Sequence, residues 1–74
     1  MISDANTAKR ISDLMWETLE KLQESLKLVE GTCSPEDHKA YHRAVGEIVR
    51  PVMFDVLEPL YKDNPSLKPA NWAE

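Results

Sequence analysis

A break of a few residues constrains this chain more than any other feature. Gly31-Thr32-Cys33 separates two long segments whose apolar residues recur at intervals of three and four. That recurrence is the spacing of one face of an α-helix. In the first segment Ala8, Ile11, Met15, Leu19, Leu22, Leu26 and Val29 form one stripe, while Asp13, Glu17, Glu20 and Glu24 line the opposite face. In the second, the stripe runs through Tyr41, Val45, Ile48, Val49, Val52, Val56 and Leu60. So short a link leaves the two helices antiparallel neighbours, and the expected fold is an all-α helical hairpin.

Local signals mark the helix ends. Gly31 suits the left-handed position that closes a helix. Ser34 can accept hydrogen bonds from the first free backbone N–H groups, and Pro35 fits the first helical position, where its missing N–H costs nothing. Glu36 and Asp37 suit the positive end of the helix dipole. The helices are therefore expected at about 5–30 and 35–62. Pro51 interrupts the second stripe but leaves it roughly in phase, which predicts a kink rather than a loop. Beyond it, Val52-Met53-Phe54-Asp55-Val56-Leu57 is apolar nearly all round, so its second face requires a cover. Pro65 and Pro69 exclude a long helix in the tail, 63–74. An extended strap is expected there, with Leu67 and Trp72 packing back on the bundle or, as the alternative, serving as a short docking peptide for a partner.

Size makes that cover matter. A chain of 74 residues forms one domain. Cores of this size rarely supply more than about 3–5 kcal/mol without a disulfide, a metal, very regular helix packing or a partner subunit. The single cysteine rules out an internal disulfide and fits a reducing compartment. The expectation is a homodimer, most simply an antiparallel four-helix bundle, in which each hairpin buries what the other leaves exposed. Trp16, Met53, Phe54, Leu57 and Trp72 are the candidate interface residues, with Trp16, Phe54 and Trp72 as a candidate aromatic cluster. The partner is expected to be a second copy, with an unidentified protein as the alternative.

Cys33, His38 and His42 form the chain's one candidate metal constellation, with spacing C-x4-H-x3-H. Histidines four apart share a helix face and can chelate zinc or another borderline metal. Asp37 offers a further oxygen. Three protein ligands fall short of a closed four-ligand structural zinc site. The leading expectation is therefore a helix start whose histidines serve the structure, with no cofactor. A zinc-binding or zinc-sensing bundle is the alternative.

Other functions find little footing. Nine Lys and Arg stand against thirteen Asp and Glu, for a net charge of −4. A nucleic-acid binder normally carries a positive surplus, and no third, basic reading helix is evident. Lys39, Arg43 and Arg50 do form a positive strip on the second helix, which can orient docking against an acidic strip such as that of the first. No glycine-rich phosphate loop is present, and Ser34 looks committed to capping, so no enzyme is expected. No apolar run approaches the roughly 20 residues of a membrane span. The expected setting is the cytoplasm, and the expected function is a small interaction module, such as a regulator or accessory subunit.

Overall fold

A computed structural model describes residues 1–72 of the chain. Its elements are α1 (Ala5–Thr32), α2 (Pro35–Pro51), a π-helical segment (Val52–Leu57), α3 (Glu58–Asp63) and a 3₁₀ turn (Pro65–Leu67). The described residues contain no strand. The arrangement is the helical hairpin that the two stripes predict. At 1.5 Å per residue α1 is roughly 42 Å long, close to the 44 Å longest extent of the molecule. One helix thus serves as the spine along which the rest of the chain returns.

The turn between α1 and α2 is tighter than expected. Gly31 stays within α1 and does not adopt a positive φ. The helix continues because two bonds hold its last turn: Cys33 N–H donates to the Val29 carbonyl at 2.9 Å, and the Thr32 hydroxyl donates to the Leu28 carbonyl at 2.7 Å. Cys33 and Ser34, both extended, then reverse the chain. Ser34 caps α2 as predicted: its Oγ accepts from the Asp37 N–H at 3.2 Å, with Pro35 in the first turn.

Beyond Pro51 the chain remains helical but changes register. Pro51 has no N–H to donate, and Val52 N–H is shared between the Ile48 and Val49 carbonyls. The following segment is wound as a π-helix, and Glu58 N–H reaches back five residues to Met53. The winding has a packing consequence. Two rows, Val52, Val56, Leu60, Asn64 and Met53, Leu57, Tyr61, are buried or half-buried and recur at four, with Glu58 and Pro59 half-buried beside them. In an α-helix a step of four overshoots one turn by about 40°. A π turn holds more residues, so a step of four falls short of it. Joining the two windings cancels the drift and keeps the row facing inward.

The core sits at the end of the hairpin away from the turn. Ala8, Leu57, Leu60 and Tyr61 form its buried centre, with Ile2, Ile11, Met15, Leu19, Val52, Met53, Leu67 and Trp72 packed around it. The strap folds back as expected, but as a 3₁₀ turn followed by a second turn closed by Trp72 N–H on the Pro69 carbonyl, 3.0 Å. That compact path lets Leu67 and Trp72 reach the same core. Buried Asn64 ties the ends together, donating from Nδ2 to the carbonyls of Ile2 at 2.9 Å and Leu60 at 3.1 Å. The Met1 amino group also pairs with Asp63. Ala73 and Glu74, the last residues of the strap, lie outside the described residues.

Candidate functional site

The second half of α1 and the middle of α2 do not close completely against each other. Trp16, Leu19, Leu22, Gln23 and Leu26 of α1, with Val45 and Val49 of α2, line a groove of about 270 Å³. Apart from the adjacent Leu22 and Gln23, successive lining residues on each helix are three or four apart, as one face of a helix requires. Val45 is buried at its floor, and the leucines and Val49 remain half-exposed. On the hairpin-turn side, the Tyr41 hydroxyl donates to Ser25 Oγ at 2.7 Å and Ser25 in turn donates to the Leu22 carbonyl at 2.6 Å.

Trp16 stands at the other end of the groove and is held from behind. Its indole N–H donates to the Tyr61 hydroxyl at 2.8 Å, and that hydroxyl also meets Ser12 Oγ at 2.5 Å. Trp72 completes the support, edge-on to Trp16 at 6.2 Å and to Tyr61 at 5.1 Å. Trp16 remains 38% exposed, so a rigidly positioned aromatic face is offered to the groove. Such pre-ordered aromatic anchors are typical of energetic centres in interfaces. Ser12 and Tyr61 were not legible as site residues from the stripe alone. The available signal was a polar Ser12 between Ala8 and Met15 on a buried face, which needs a partner.

The candidate interface residues divide into three groups. Trp16 lines the groove and meets Trp72, which is itself half-buried against the core. Phe54 is 58% exposed and, among the described residues, makes no ring contact with either tryptophan. Met53 packs against the core, and Leu57 is fully buried in it. Placing Leu57 at an interface is therefore corrected: the π winding turns it inward, into the chain's own core.

The metal candidates are only partly gathered. His38 and His42 are neighbours, with ring centroids 6.0 Å apart. Cys33 is exposed, and its Sγ lies 3.5 Å from the Thr32 hydroxyl. Among the described residues no three His, Cys, Asp or Glu side chains converge where a metal ion would sit.

The charged strips are unpaired with each other. Among the described residues, side-chain ion pairing within the helices is confined to Lys9 with Asp13, 3.3 Å. Glu17, Glu20 and Glu24 on α1 and Lys39, Arg43 and Arg50 on α2 have no ionic partner among the described residues. Among the described residues no helix is long and apolar enough to cross a membrane. Compared with known proteins, the chain matches no protein family, no curated protein and no solved structure.

Proposed function

We propose that the protein is a non-enzymatic interaction module that works as a homodimer, two hairpins closing on each other groove to groove. The observation that carries this reading is the open apolar groove with Trp16 fixed at its end. The surface area gives its scale. A compact monomer of 8.5 kDa is expected to expose about 4,650 Å². This chain exposes 5588 Å², an excess of roughly 900 Å², close to the roughly 800 Å² each partner contributes to a standard interface. The radius of gyration of 14.6 Å likewise exceeds the roughly 11 Å expected for this length.

Sedimentation equilibrium of the intact chain and of Leu26→Lys tests the reading. The aliphatic stem of a lysine can cover the half-exposed leucine site in a monomer while its ammonium reaches water, but a groove-to-groove dimer would trap that charge. The expected result is a parent dimer at micromolar concentration and a monomeric variant of unchanged helicity. A parent chain that stays monomeric and helical at hundreds of micromolar would rule out the homodimer.

A further inference from the structure

His38 and His42 lie one turn apart on α2, with ring planes inclined at 48° and centroids 6.0 Å apart. His38 is half-buried and His42 exposed. Among the described residues no other protein group hydrogen-bonds to either imidazole. Each neutral ring therefore keeps one nitrogen lone pair available. The helical turn that carries them is regular from its first residue. Ser34 caps it, Pro35 fixes its first residue, and His38 N–H bonds the Ser34 carbonyl at 3.0 Å. Two unengaged imidazoles one turn apart on one helix face make a candidate chelate pair.

We infer that His38 and His42 form an open two-imidazole site for a borderline divalent cation, Zn²⁺ foremost. Zinc binds imidazole nitrogen at about 2.0–2.1 Å, and histidines four apart on one helix face can each present a nitrogen to a single ion. Water fills the remaining positions, because Cys33 stands apart and no third ligand converges. A site with two protein ligands is exchangeable and does not hold the fold together. It also stands independently of the dimer, since both ligands come from one helix.

The test is calorimetric titration of the full chain with zinc chloride in chelator-free buffer, alongside His38→Ala, His42→Ala and Cys33→Ser. Alanine is the best helix former, and circular dichroism checks that both histidine variants keep their helicity. The intact chain is expected to bind one Zn²⁺ per chain saturably. Removing either imidazole turns the chelate into a single contact and is expected to weaken binding about 100-fold. Cys33→Ser should bind as the parent does. No saturable binding by the parent would overturn the proposal, as would parental affinity in His42→Ala. Loss of binding in Cys33→Ser would overturn it too, by moving the site to the thiol.

Discussion

Removing one oxygen atom from Tyr61 should destabilise the protein more than any other change so small. The Tyr61 hydroxyl is shared by Ser12 Oγ at 2.5 Å and the Trp16 indole N–H at 2.8 Å. Tyr61→Phe keeps the ring and its edge-on contact with Trp72 at 5.1 Å, so packing changes little. What changes is the satisfaction of two polar groups. Ser12 is 6% exposed, and a buried hydroxyl left without its partner costs about 1–3 kcal/mol. Its retreat to the Ala8 carbonyl one turn back recovers part of that. Trp16 is exposed enough for its N–H to find water, so its loss is nearer the net value of one hydrogen bond, about 1 kcal/mol. The expected total is about 2 kcal/mol, which for a domain of this size lowers Tm by about 8–16 °C. Urea titration followed by tryptophan fluorescence and circular dichroism, at one fixed protein concentration, measures it. Ser12→Ala combined with Tyr61→Phe should cost less than the sum of the single changes, because no orphaned hydroxyl remains. A Tyr61→Phe protein within 0.5 kcal/mol of the parent, on the order of an ordinary surface change, would show that this hydroxyl does not hold Trp16 in place.

Other perturbations follow from the same structure. Gly46 lies inside α2, where an added Cβ meets nothing within 4 Å and φ is not positive, so Gly46→Ala should raise stability by about 0.5–1 kcal/mol in urea titration. Ser34→Ala removes the cap on Asp37 N–H and should cost about 1 kcal/mol, read by thermal melting at 222 nm. Leu60→Ala empties a fully buried site beside Ala8 and should cost about 2–5 kcal/mol. That is enough to unfold much of the population, and loss of the far-ultraviolet helical signal at 37 °C would report it.

The hairpin was legible because its signals are local. The stripe from Ala8 to Val29 and the Ser34-Pro35-Glu36-Asp37 start depend only on neighbouring residues, and both appear in the structure. Gly31 misled because its preference for a left-handed close is weak, and two hydrogen bonds in the last turn outweigh it. The winding after Pro51 was less legible. A proline predicts disturbance, but whether the chain kinks or adopts i→i+5 bonds depends on which rows must face α1, a tertiary matter. In the sequence the apolar residues Val52, Val56 and Leu60 recur at four, which departs from 3.6 far enough to be a clue. The groove residues Leu19, Leu22, Leu26, Val45 and Val49 belong to the predicted stripes. That they line an open groove is a property of how two helices approach. The Ser12–Tyr61–Trp16 bonds span 45 to 49 residues of chain and have no local signature.

Burial is distributed unevenly along the hairpin, and this sets the order in which the molecule should open. Ala8, Ser12, Leu57, Leu60, Tyr61 and Asn64 are all buried at the end away from the turn, whereas Val45 is the one buried residue between Leu14 and Pro51. Opening free energies follow local burial. Amide exchange should therefore be slowest around Ala8–Ser12 and Leu57–Tyr61, and fastest on both sides of the Cys33–Ser34 turn. The contacts that close the slow end join residues about fifty apart in sequence, while the turn joins neighbours. The part of the chain quickest to form is thus also the part quickest to open. The hairpin behaves as a hinge-ended clasp whose lock lies at the opposite end from its fold.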